Sequence, residues 1–100
     1  MPTLHLTDWI SWDQRSDLPS SPGVYLIAKE RPGKIIYIGR TWGDGGLRKR
    51  VGQFNRAAMD RISNHSGGRT YHKNYGSQVD DLFVCSHIPK VITFVQGATV

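Results

Sequence analysis

The stretch GVYLIAKERPGKIIYIGR, Gly23 to Arg40, constrains the fold most. Two runs rich in β-branched and aromatic residues, Val24 to Ala28 and Lys34 to Thr41, flank KERPGK, where Pro32-Gly33 signals a turn; the segment reads as an antiparallel hairpin. Each strand carries a tyrosine close to a glycine, in Gly23-Val24-Tyr25 and in Tyr37-Ile38-Gly39. Side chains alternate along a strand, so loop length decides whether Tyr25 and Tyr37 share a face. An odd-length loop, pairing Glu30 with Lys34 or Lys29 with Ile35, sets Tyr25 opposite Gly39 and Tyr37 opposite Ile27, with both phenols on one face. A two-residue Pro-Gly turn pairing Arg31 with Lys34 separates them. Local chemistry favours Pro32 at the first central turn position, whereas type II turns splay hairpins and favour a longer loop, so both registers stay open.

After the hairpin the hydrophobic period becomes helical, from Leu47 to about Ile62. Leu47, Val51, Phe54 and Ala58 form an apolar stripe. At roughly 100° per residue, Arg50 lies about 60° from Leu47 on the edge of that stripe, while Arg48 and Lys49 point further from the core. TWGDGG, Thr41 to Gly46, reads as a connector capped by Asp44; the alternative is a phosphate cradle at the helix N-terminus. Upstream, TDWISWDQ suggests a short helix or turn capped by Thr7 and Asp8, with Trp9 and Trp12 covering one end of the core. SNHSGGRTYHKNYG is too rich in Ser, Asn and Gly to be regular throughout, with room for a short helix from Arg69 to Tyr75. DDLFVCSHI reads as a third strand from Leu82, ended by Pro89, and VITFVQGATV is apolar and strand-prone. The expectation is one α+β domain, a three-stranded antiparallel sheet with flanking helices: an N-terminal extension over 1–22, a core over 23–88 and an apolar tail over 89–100.

One hundred residues suffice for one small core. The net charge of +5 is clustered, because Arg40, Arg48, Lys49, Arg50, Arg56, Arg61, Arg69 and Lys73 face only Asp44 and Asp60 between positions 40 and 73. Such clustering favours a polyanionic partner, although a merely basic soluble domain has the same composition. Cys85 alone allows neither an internal disulfide nor a four-thiolate metal site, and within LFVCSHI it reads as an inert strand thiol. His5, His65, His72 and His87 lack zinc spacing and read as surface residues. The sequence shows no signal-peptide pattern and no membrane-spanning run, so the expectation is a cytoplasmic chain without a membrane partner.

Gly23-Val24-Tyr25 and Tyr37-Ile38-Gly39, followed by GLRKRVGQF with Arg50 on an amphipathic helix, resemble the signature of the GIY-YIG nuclease family. The resemblance is strong from Gly23 to about Phe54 and looser as far as Leu82. It implies metal-dependent hydrolysis of nucleic-acid phosphodiester bonds, with DNA the expected partner and Mg²⁺ or Mn²⁺ the cofactor. In the family a signature tyrosine is thought to act as general base and the arginine stabilises phosphorane-like charge. Carried to this chain, Tyr25, Tyr37 and Arg50 are the candidate catalytic residues. Beside them, Arg40, Arg48, Arg69 and Lys73 are candidates for nucleic-acid contact, and Gly39 would let a phosphate come close to the backbone.

Two departures matter. The family's metal-binding glutamate follows the third strand, whereas Glu30, the only glutamate, lies in the hairpin loop, so the chain offers no identified metal ligand. Phe54 occupies the place of a family His or Tyr, one turn after the arginine. Three explanations follow: truncation, a ligand from Asp80, Asp81 or a second subunit, or loss of catalysis. The alternative function is a non-catalytic nucleic-acid-binding module on the same scaffold. The apolar tail suggests truncation or homodimerisation through the C-terminal strand, which sedimentation at micromolar concentration would test.

Overall fold

The computed structural model describes residues 6–60 and 64–88. The expectations for the 89–100 tail, His5 and Arg61 lie outside these residues. The chain order is strand β1 (Ile10–Ser11), a 3-10 helix (Trp12–Asp17), β2 (Gly23–Lys29), β3 (Ile35–Thr41), α1 (Gly46–Asp60), α2 (Ser66–Tyr75) and β4 (Leu82–His87). The strands form one antiparallel sheet in the order β1-β4-β2-β3. The expected three strands are therefore four. The addition is the two-residue β1, whose Ile10 and Ser11 pair with Val84 and Phe83; a strand of two residues is too short to show a period of two.

The 3-10 helix fits the expected helix or turn, but Ser11 is its cap residue instead of Thr7 or Asp8. The Ser11 N–H donates to Gln14 Oε1 at 3.4 Å, half of a capping box. Trp12 is buried, meets Phe54 edge-on at 5.7 Å and donates its indole N–H to Asn55 Oδ1 at 2.8 Å. Both ends of this large ring are thereby satisfied.

β2 is the central strand, and Leu26 to Lys29 are all buried. On the face bearing Tyr25, Ile27 and Val84, the sheet packs against the α1 stripe of Leu47, Val51, Phe54 and Ala58, each at most 1 % exposed. The helical period read from the sequence thus coincides with the buried face. α2 begins earlier than expected, at Ser66. Gly67 and Gly68 sit inside it because a Cβ on Gly68 would come within 2.5 Å of the Phe54 carbonyl oxygen and 2.7 Å of Ala57 Cβ. Close approach to α1 demands glycine there, and packing outweighs its low helix propensity.

The hairpin solves the parity question in an unexpected way. The Arg31 carbonyl accepts from Lys34 N–H at 3.2 Å across Pro32-Gly33, with Gly33 at φ +93°, so the Pro-Gly turn favoured by local chemistry does form. Lys29 N–H then donates to the Lys34 carbonyl at 3.0 Å, and Ala28 pairs with Ile35. The register next shifts by one residue: Ile27 pairs with Tyr37, leaving Ile36 as a bulge, and Tyr25 pairs with Gly39. The register of the tyrosines is the one expected from an odd loop, but a β-bulge produces it. Arg40, the neighbour of Gly39, alternates to the other face of the sheet.

Candidate functional site

The shared face gathers four rings. Tyr25 and Tyr37 lie 6.0 Å apart between centroids, and Tyr37 is 5.5 Å from Phe54 and 5.6 Å from an imidazole, that of His65. Phe54 and His65 meet edge-on at 5.2 Å. Glycines seat both phenols: the Tyr25 ring occupies the space a Cβ on Gly39 would take, and a Cβ on Gly67 would lie 2.5 Å from Tyr37 Cε1. Gly39 is therefore covered by Tyr25, which corrects its expected role as a gap for phosphate.

His65 is the site residue that sequence reasoning missed. Read as a surface histidine, it is fully buried and stands at the cap position of α2. Gly68 N–H donates to its Nδ1 at 3.2 Å, and its Nε2 lies 2.7 Å from Tyr25 Oη. Burial, and secondarily the charge of Arg50, pull its pKa from 6.5 down to about 4, so the ring is neutral near pH 7. With Nδ1 accepting, the single proton sits on Nε2 and is donated to Tyr25 Oη; the phenol's own proton lies within reach of the Tyr37 hydroxyl. The only sequence hint was a polar residue ahead of Ser-Gly-Gly at a helix start. Nothing local foretold its contact with a tyrosine forty positions earlier. His72 also departs from the surface reading, since it is half-buried with Nδ1 2.6 Å from the Ala58 carbonyl.

Tyr25 is fully buried, and its pKa is pushed far above the ordinary 10, first by burial and then by Tyr37, against the opposing pull of Arg50. It stays protonated at neutral pH. Tyr37 is half-buried and shares the face. Arg50 is half-buried on the edge of the α1 stripe, as its helical angle implied, and donates from Nη1 to Gln53 Oε1 at 2.9 Å. Its charge acts on both Tyr25 and His65. Among the described residues no carboxylate pairs with it. The arrangement is a cation beside the Tyr25 hydroxyl, with the Tyr37 phenol next to Tyr25 and aromatic rings around them, a set of donors that suits an anionic oxygen.

The outlying candidates divide. Arg48 donates from Nε to the Leu18 carbonyl at 2.8 Å, so part of its guanidinium anchors the loop before β2. Arg69 and Lys73 are exposed on α2, and Arg40 is exposed on the sheet face opposite Tyr37. The N-terminus of α1 is not a free phosphate cradle: Leu47 and Arg48 N–H groups donate to the Ser21 and Pro19 carbonyls at 2.9 and 3.0 Å. Gly46, at φ +57°, lies against the Ser20 backbone with no room for a side chain. The TWGDGG stretch is thus a connector docked on the loop before β2.

A divalent ion does not fit the donors present. Among the described residues no three His, Cys, Asp or Glu side chains come together. Asp81 is held by Lys29 Nζ at 2.9 Å, four strand residues beyond Tyr25 and so roughly 13 Å along β2. Glu30 pairs with Lys34 at the hairpin tip, and both nitrogens of His65 are engaged. Cys85 is fully buried, as its inert reading requires, and burial pushes its thiol pKa up.

No helix among the described residues is long and apolar enough to cross a membrane. Comparison with family models, with curated proteins and with solved structures gives no match.

Proposed function

We propose that this chain is a GIY-YIG-type nuclease domain that receives a nucleic-acid phosphodiester, DNA in the first instance, between Tyr37, Tyr25 and Arg50. What supports the reading above all is the bulge-set register, which turns both signature phenols to the face covered by α1. In this reading Arg50 lays its planar fork on the phosphate oxygens. Tyr25, kept protonated and accepting from His65, serves as a fixed hydrogen-bond donor. Tyr37, the less buried phenol, stands nearest the attacking water. The roles of the two tyrosines are therefore unequal, and Tyr25 is a poor general base because burial disfavours its ionised form.

Nicking of supercoiled plasmid in Mg²⁺ or Mn²⁺ tests this. Cleavage should fall at least a hundredfold in both Tyr37→Phe and Arg50→Ala; cleavage indifferent to Arg50→Ala rejects the assignment. A second reading, binding without hydrolysis on the same scaffold, is favoured by the lack of a fitting ion site among the described residues. It requires salt-sensitive binding with no Mn²⁺ uptake in isothermal titration.

A further inference from the structure

A cleft of about 340 Å³ opens between the bulge of β3 and one face of α2, and Tyr37 is both part of its wall and part of the phosphate site. Phe54 and Tyr71 form its buried floor, Tyr37 and Tyr75 bring further aromatic surface, and Thr70 and Asn74 are exposed polar residues on its lining. The volume is at the lower end of the range for small-molecule sites, of about 300–1,000 Å³. Among the described residues the Thr70 hydroxyl and the Asn74 amide have no hydrogen-bond partner, so their donors and acceptors remain available to a ligand. Tyr71 and Tyr75 pack at 4.9 Å, and the Lys29 ammonium lies 4.7 Å from the Tyr75 ring centre, a cation–π contact that holds that ring. A flat ligand is wanted, aromatic on its faces and polar along one edge. An unpaired nucleobase has that form, and an asparagine amide can pair with its hydrogen-bonding edge.

We propose that this cleft binds a nucleobase that has left the stack, so that the domain prefers nucleic acid with an unpaired base next to the phosphate held at Arg50. The inference rests on the nucleic-acid reading above. Sharing Tyr37 between the cleft and the phosphate site is what couples them: a base lodged against α2 brings its own or a neighbouring phosphate toward Arg50. A base inside an intact duplex could not enter without unstacking, so paired DNA would be the weaker ligand.

Fluorescence anisotropy with three labelled probes tests this at fixed low salt: a 20-mer single strand, a 20-base-pair duplex, and the same duplex carrying one unpaired adenine. Wild-type protein should bind the single strand and the bulged duplex about tenfold more tightly than the paired duplex. In Asn74→Ala, and separately in Tyr75→Ala, affinity for the bulged duplex should drop to that of the paired one; circular dichroism verifies the fold of each variant. Equal wild-type affinity for all three probes overturns the inference, as does an unchanged preference in Asn74→Ala. Absence of binding to any probe overturns the nucleic-acid reading itself, and this inference with it.

Discussion

The two ends of the central strand β2 both bury a polar group against a tyrosine, but they resolve it differently. At the Lys29 end the residue is 9 % exposed, and its ammonium hydrogen-bonds Tyr71 Oη at 2.8 Å and Asp81 Oδ1 at 2.9 Å and faces the Tyr71 and Tyr75 rings. Tyr71 in turn donates to the Gln78 carbonyl. Charge, counter-charge and hydroxyls close on one another, which clasps the end of α2 to the sheet. At the Tyr25 end the imidazole is held neutral, the phenol accepts from it, and the nearby Arg50 meets no carboxylate among the described residues. The first end balances its charge within the chain; at the second, the Arg50 charge meets no carboxylate among the described residues. One sheet thus carries a charge-balanced clasp and the proposed phosphate site about one strand-length apart.

Phe54 touches Trp12, Tyr37, His65 and Tyr71, so it supports the Tyr25 end as a whole. Phe54→Ala should cost about 3–5 kcal/mol in urea unfolding; a loss under 1 kcal/mol would show that the ring cluster is not the keystone of that end. Gly68→Ala forces α2 away from the α1 backbone and should cost about 1–3 kcal/mol. The same substitution should lower binding of oligonucleotides, because α2 carries both the His65 cap and the cleft.

At the clasp, Asp81→Asn removes the counter-charge from a buried ammonium. Asp81 is itself partly exposed, so the expected loss is about 1–2 kcal/mol. Affinity for a fully paired duplex, whose bases do not enter the cleft beside Tyr75, should stay within twofold of wild type on the folded variant, and a larger drop would mean that the clasp is coupled to the Arg50 end.

The pH response sharpens the contrast. His65 is neutral in the fold with a pKa near 4 against 6.5 when unfolded, so between those values the unfolded chain binds the extra proton. This contribution to stability is complete above about pH 6.5 and declines as pH falls toward 4. His65→Gln should flatten that slope in denaturant titrations run at several pH values; an unaltered slope would mean that the imidazole is not held neutral. The smallest effect belongs to Ser86, paired across the ladder with Tyr25, whose buried hydroxyl has no partner among the described residues. Ser86→Ala should be neutral or stabilising by up to about 1 kcal/mol, as thermal unfolding would read.

How far the sequence carries varies by element. The α1 stripe was legible because its period is local, and Leu47, Val51, Phe54 and Ala58 point inward as the spacing requires. The hairpin and β4 were legible from β-branched runs between turn residues. The edge position of Arg50 followed from its angle alone. Three features did not: the two-residue β1, the helix through Ser66-Gly67-Gly68, and the burial of His65. Each depends on a partner distant in sequence, with β1 on β4, the glycines on α1 and Tyr37, and the imidazole on Tyr25.

By itself the sequence determined the three longer strands and the long helix, since alternation and helical period are written into neighbouring residues. It also determined that two tyrosines and an arginine lie where a fold could unite them. Only the tertiary structure decided that they meet. One extra residue at Ile36 reverses the parity left by the Pro32-Gly33 turn, and a bulge has no local periodic signature because pairing across the sheet is what creates it.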